Sequence, residues 1–312
     1  MVIINNFNEW TETMDIESLQ TFVKVIELES FTKASRQLNL SQPTVSFHIK
    51  SLEEHFQTTL IDRTPKRFQI TYTGDIVYQR AKQILGLLDK ARTEVYEFHH
   101  QLRGEIRIGA SYTVGEYVLP SLLKTFDDLY PDVELRVAIK NTEHINQEVQ
   151  LHELDIGLVE GQVKQNDLSS HPFMEDEMVV VVPADHPLRH RKDGNFKELQ
   201  DQTWICREHG SGTRDVMESL WDSYNIRPGK LITIGSNHGV IQGVKQGLGL
   251  SIISKTVAEH SDAKELIYPL PFIKSATRFF SYVIPSDEKE ISKNVSVFIE
   301  LVKERYPFND KM

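Results

Sequence analysis

Ser41-Gln42-Pro43-Thr44-Val45-Ser46-Phe47-His48-Ile49-Lys50-Ser51-Leu52-Glu53 is the stretch that decides the fold. Ser41 suits a helix N-cap, and Pro43 falls in the first turn, where a missing N–H costs nothing. Val45, Ile49, Leu52 and Phe56 are spaced four, three and four apart, which gives one apolar face. Gln42, Thr44, Ser46, His48 and Lys50 are read as the opposite, polar face, of the kind that reads base edges and phosphates. Upstream, Phe31 to Leu38 predicts a short helix that includes Thr32, and Asn39-Leu40-Ser41 a tight turn. Helix, three-residue turn and capped polar helix together predict a helix-turn-helix. Double-stranded DNA is the partner this implies.

Working outward, Ile16, Leu19, Phe22, Val23 and Ile26 predict a supporting helix over 16–29. Downstream, Thr58 to Arg63 and Phe68 to Tyr72 are β-type runs around the basic turn Thr64-Pro65-Lys66-Arg67, so a hairpin wing is expected. Arg63, Lys66 and Arg67 are placed to grip phosphate or the adjacent minor groove. A long helix from Thr73-Gly74 to about Leu102 follows. In it Ile84, Leu88, Ala91, Val95, Phe98 and Leu102 form a heptad seam, the pattern of a dimerising helix.

From residue 105 strands and helices alternate, with strands expected at 106–108, 133–139, 156–159, 178–182, 204–206, 231–234 and 250–253. Helices are expected at 115–130, 144–152, 213–224, 237–246 and 292–305. Alternation of this kind predicts open, mostly parallel sheets covered on both faces, in two lobes with a ligand site at the strand ends. Ser111 and Thr113 follow the first strand; Ser211, Gly212 and Thr213 repeat the arrangement farther on; Thr142 and Asn237 begin two more helices. Hydroxyls and backbone N–H groups there favour a small anionic or zwitterionic metabolite, such as sulfate, phosphate or an amino-acid derivative.

The 312 residues carry a net charge of −10. Residues 14–104 hold 12 Lys/Arg against 11 Asp/Glu, whereas 105–312 hold 23 against 32, so the acidic excess lies outside the helix-turn-helix. Within 32–73 the balance is 6 basic to 3 acidic. No apolar run is long enough to span a membrane, the first 13 residues lack the pattern of a signal peptide, and a single cysteine, Cys206, excludes a disulfide framework. These features point to the cytoplasm. Gly247-Leu248-Gly249 lacks a third glycine and reads as a turn, and Pro187 separates His186 from His190, so no metal site is expected. No catalytic constellation or cofactor motif is present, so an enzyme is not expected.

The block Ser41-Gln42-Pro43-Thr44-Val45-Ser46…Ile49…Leu52-Glu53, with Leu60…Arg63 and Thr71…Thr73-Gly74, resembles the LysR-type transcriptional regulators. Ile108-Gly109-Ala110-Ser111, Leu119-Pro120, Tyr130-Pro131, Leu154-Asp155-Ile156-Gly157 and Gly247-Leu248-Gly249-Leu250 extend the likeness through the chain. The resemblance implies an α/β protein: an N-terminal extension (1–13), a winged helix-turn-helix (14–73), a linker helix (74–104) and an effector domain like periplasmic binding proteins (105–312). Lobe I would span about 105–161 plus 268–312, and lobe II about 162–267. It also implies a homo-oligomer, dimer or tetramer, that binds promoter DNA, responds to a small co-inducer and works with RNA polymerase. The Phe56-Gln57-Thr58 and Pro65-Lys66 region is similar to regulators of cysteine biosynthesis in Gram-positive bacteria. An architectural DNA-binding protein indifferent to ligand is the alternative.

Overall fold

Asp15, Ser30 and Ser41 each accept a hydrogen bond from the backbone N–H three residues on, at 2.5, 3.2 and 3.2 Å. Three helices therefore start where a short oxygen side chain meets their free donors: α1 (Ile16–Leu28), α2 (Phe31–Gln37) and α3 (Gln42–His55). The computed structural model describes residues 15–64, 67–98, 102–161, 163, 165–190, 196–260, 276–286 and 291–308. Asn39 takes up a left-handed backbone, φ 55°, and turns the chain from α2 into α3.

Two strands, β1 (Ile61–Thr64) and β2 (Arg67–Ile70), pair antiparallel as the wing. The Glu53 carboxylate accepts from the N–H groups of Leu60 (2.9 Å) and Ile61 (3.3 Å), tying the wing to the end of α3. The long helix α4 (Tyr72–Phe98) follows, its first turn capped by the Thr71 hydroxyl, which accepts from Gly74 N–H at 2.9 Å. Leu19, Phe22, Val25, Val45, Ile49, Leu52, Leu60 and Ala81 close a core shared by α1, α3, the wing and the start of α4. The chain divides into two compact units: one runs to Arg92 and includes Leu151–Glu153, and the other comprises Thr93–Gln150 and the chain from Leu154 on.

The second unit begins with β3 (Gly104–Ser111), α5 (Tyr112–Tyr117), α6 (Leu119–Leu129), β4 (Val133–Lys140), α7 (Thr142–Gln150) and β5 (Ile156–Glu160). There follow β6 (Leu168–Val181), β7 (Thr203–Cys206), α8 (Gly212–Tyr224), β8 (Lys230–Thr233), α9 (Asn237–Lys245), β9 (Ser251–Ser254), α10 (Lys255–His260), β10 (Ala276–Pro285) and α11 (Lys293–Arg305). One sheet runs β4-β3-β5-β10-β6-β9, and β7 pairs with β8. Apolar clusters mark two lobes. Ile106, Ile108, Phe126, Leu158, Phe280 and Phe298 centre the first, and Val180, Trp204, Cys206, Met217 and Ile252 the second. Strand β6 passes between them, with Phe173 in the first core and Met178 in the second.

Four expectations change. The helix expected over 115–130 is two helices, α5 and α6, meeting at Val118, after which Pro120 restarts the turn. The sheet is not mostly parallel: β3 is parallel to β4 and β5, but β10 runs antiparallel to both β5 and β6, and β9 to β6. The reason is that β10 returns from the second lobe to the first. Both β10 and the first half of β6 are strands that the sequence pattern does not predict, because Pro172 and Arg278 interrupt their apolar runs; Pro172 is tolerated opposite Ser281, at a register break in the β6–β10 ladder. Finally, Leu102 leaves the linker seam: it lies beyond α4 and packs against the first-lobe core.

Candidate functional site

A helix advances about 100° per residue, so positions two apart do not share a face. The five polar residues read as one face of α3 therefore spread around it. His48, three residues after Val45 and next to Ile49, turns inward: it is buried, with Nδ1 2.8 Å from the Thr21 hydroxyl on α1. It fastens α3 to α1 and is not available to DNA, contrary to the sequence reading. Ser41 and Thr44 bond each other at 2.7 Å within the helix cap. The outward face is Gln42, Pro43, Phe47 and Lys50, with Ser46 half-buried beside them. Lys50 forms an exposed ion pair with Glu54 at 3.2 Å, and Thr32 is exposed on α2.

Arg63 and Arg67 lie on the paired wing strands, Arg63 opposite Phe68 and Arg67 opposite Thr64; their side chains, and all of Lys66, lie outside the described residues. On α4, Ile84, Leu87 and Ala91 are exposed and Leu88 half-buried, leaving an apolar stripe within the first unit. The side chains of Val95 and Phe98 lie outside the described residues.

In the second unit the carboxyl ends of the parallel strands β3 and β5 lie side by side, ending in Ser111 and Glu160. Helix α8 starts against them so closely that a Cβ on Gly212 would come within 2.4 Å of the Glu160 carbonyl; glycine is required by the approach. The Thr142 hydroxyl donates to that same carbonyl at 3.0 Å, holding the start of α7 in place. Thr213 donates to Glu160 Oε1 at 3.3 Å.

Around these hydroxyls stand charged side chains that the sequence reading missed. The Arg278 guanidinium, buried on β10, sits 3.1 Å from Glu160 Oε2 and 2.8 Å from Asp176 Oδ2. It also donates to Thr213 Oγ1 at 3.0 Å and Thr113 Oγ1 at 3.4 Å. Asp176 accepts in addition from Ser254 at 2.6 Å and Thr256 at 3.2 Å. Arg207, also buried, grips both oxygens of Glu208 at 2.8 and 2.9 Å and donates to Asn237 Oδ1 at 2.5 Å, its guanidinium 4.7 Å from the centre of the Tyr112 ring. Asn237 passes the network on, donating to Thr113 at 3.3 Å. Burial would push the Glu208 carboxyl up, but the hydrogen bonds and charge of Arg207 outweigh it and hold Glu208 below the ordinary glutamate range.

Satisfaction is incomplete: the Ser111 and Ser211 hydroxyls are buried without a hydrogen-bond partner, and Glu160 Oε2 has only its ion pair with Arg278. The structure thus joins Thr113, Thr213 and Asn237 to the two arginines and sets Thr142 and Gly212 against the Glu160 carbonyl, while Ser111 and Ser211, at the end of β3 and just before α8, keep buried hydroxyls without a partner. No group of three His, Cys, Asp or Glu among the described residues could hold a metal ion, and no described helix is long and apolar enough to cross a membrane.

Comparison with known proteins agrees with this division into a helix-turn-helix unit and a two-lobed unit. Residues 16–75 match the family described as "Bacterial regulatory helix-turn-helix protein, lysR family", and residues 99–307 match "LysR substrate binding domain". The HTH-type transcriptional regulator CysL of Bacillus subtilis is 44% identical over 298 residues, covering 94% of this chain and 98% of its own. Among solved structures, the CcmR regulatory domain of Synechocystis PCC6803 in complex with 2-PG is 25% identical with a TM-score of 0.61, covering 67% of this chain and 99% of that one. Full-length CbnR complexed with its target DNA aligns with a TM-score of 0.65 at 17% identity, over 93% of this chain and 99% of that one.

Proposed function

The chain belongs to the LysR family of bacterial transcriptional regulators, and on that premise we propose that it binds promoter DNA under the control of a small metabolite held between its two lobes. The observation that carries the proposal is the buried, unpartnered hydroxyls of Ser111 and Ser211, one at the carboxyl end of β3 and the other at the start of α8. A buried hydroxyl without a partner is costly, and a polar ligand that hydrogen-bonds to it removes that cost. Arg278 is already shared by Glu160 and Asp176, whose carboxylates suit the ammonium of a zwitterion, while the N–H groups at the start of α8 suit an acidic group. The ligand is therefore a small anion or zwitterion. The identity with CysL, together with the likeness at Phe56-Gln57-Thr58, favours sulfur or cysteine metabolism as the pathway. The CcmR regulatory domain in complex with 2-PG, a domain of the same fold, supports a small-molecule ligand.

The DNA partner is a promoter, read by the outward face of α3 and gripped by the wing. The apolar stripe on α4 makes the working form a homo-oligomer, dimer or tetramer, so that two recognition helices meet two half-sites. RNA polymerase is the downstream partner. A mobility-shift titration on DNA upstream of its own and neighbouring genes, with random competitor and metabolites added singly, tests the reading. Expected is a sharp shift over two or more half-sites that one metabolite alters. Binding no tighter than to random DNA would refute it, and specific binding that no metabolite alters would favour the architectural alternative.

A further inference from the structure

Phe47 is 67% exposed, the most exposed large apolar side chain on α3. It belongs to no buried cluster, and its ring meets only obliquely the imidazole of His48, centroids 6.3 Å apart. Single exposed apolar residues are common, but this one has an unusual address. Pro43, Phe47 and Lys50 fall at i, i+4 and i+7 on α3, directly opposite the buried Val45, His48, Ile49 and Leu52. The phenyl ring therefore stands at the centre of the outward ridge, between the cap that carries Gln42 and the ammonium of Lys50.

Resting on the reading of α3 as the groove-entering helix, we propose that Phe47 is a specificity-determining residue that reads thymine through its C5-methyl group. The major groove presents donors and acceptors on every base pair, and the thymine methyl is the one apolar group it offers. A phenyl ring makes no hydrogen bond with base edges, so its discrimination comes from covering that methyl. The surroundings suit DNA and not an apolar protein face: the ridge carries the exposed Lys50–Glu54 pair, and residues 32–73 hold 6 basic to 3 acidic side chains. Gln42 and Ser46 then read neighbouring pairs by hydrogen bonding, and Phe47 adds a preference for thymine that polar residues cannot supply.

The test uses the full chain and a duplex that it selects from a random pool, resynthesised with deoxyuridine replacing one thymine at a time. Deoxyuridine keeps every hydrogen-bonding group and lacks only the methyl. At one or two positions per half-site the substitution should weaken binding about fourfold, the value of one methyl group taken out of water. Phe47→Ala should bind thymine and deoxyuridine duplexes alike at those positions and keep its affinity for random DNA, while Phe47→Leu retains part of the preference. Thermal melts of both variants should match the unsubstituted protein, since the ring is outside the core. Indifference to deoxyuridine at every position, or the same deoxyuridine pattern in Phe47→Ala, would overturn the proposal. So would an altered oligomeric state in Phe47→Ala with its sequence preference intact, which would make the ring a protein contact. Failure of the unsubstituted protein to select any sequence would instead remove the regulator reading on which the proposal rests, and the proposal with it.

Discussion

A buried serine hydroxyl with no partner forfeits the hydrogen bond it made to water, a loss of roughly 1–3 kcal/mol. Ser111 and Ser211 both stand in that condition, so replacing either with alanine should leave the unliganded protein as stable or more so, measured by thermal melting, while abolishing the ligand response. The opposite holds for Arg278: Arg278→Ala would leave Glu160 and Asp176 buried without their shared cation and should cost about 3–5 kcal/mol of stability. Glu208 gives a pH-dependent case. Its carboxyl is held below the ordinary range in the fold, so its contribution is fully present above the ordinary glutamate value and is lost as pH falls through the lowered one. Glu208→Gln should therefore lower the melting temperature at pH 7, and its gap from the unsubstituted protein should close in acid. At this scale the small hydroxyl residues are visible in the sequence as Ser, Thr and Gly at the junctions of strand and helix, although ordinary helix capping places the same residues there. Glu160, Asp176, Arg207 and Arg278 were not, since they meet only after four distant segments fold together.

Elements were read well where one period governed them. The start of α3, its apolar stripe and its cap followed from spacing alone, and Ser41 caps it as expected. Sorting the polar residues of α3 at a period of two suits a strand and not a helix: it turns His48 toward DNA, although His48 is locked to Thr21, and omits Phe47, which points outward. Strands β6 and β10 escaped for the converse reason: a proline at a register break and an arginine in a buried site look like surface. The junction between wing and linker makes a separate prediction. A Cβ on Gly74 would lie 2.1 Å from the Leu60 carbonyl and 2.9 Å from Ile70, so neither backbone nor side chain has room for it. Gly74→Ala should lower the thermal stability of the DNA-binding unit and weaken all DNA binding, and circular dichroism with mobility shifts would detect both.

For the molecule as a whole, the sequence divides the work by charge as well as by fold. Residues 105–312 carry the acidic excess, which keeps that part off DNA, while the helix-turn-helix region is locally basic. Two lobes around a polar site and a helix-turn-helix with a wing are what a ligand-responsive DNA binder requires, and neither unit alone would couple the two events. The measurement that tests this coupling most directly is a nuclease footprint on the selected promoter, with and without the metabolite that alters the mobility shift. It would compare the unsubstituted chain with the Ser111→Ala, Ser211→Ala double variant. The account predicts identical footprints without metabolite, and a change on its addition only in the unsubstituted chain. A double variant that changes its footprint just as the unsubstituted chain does would contradict the account, because the ligand would then act from some other site.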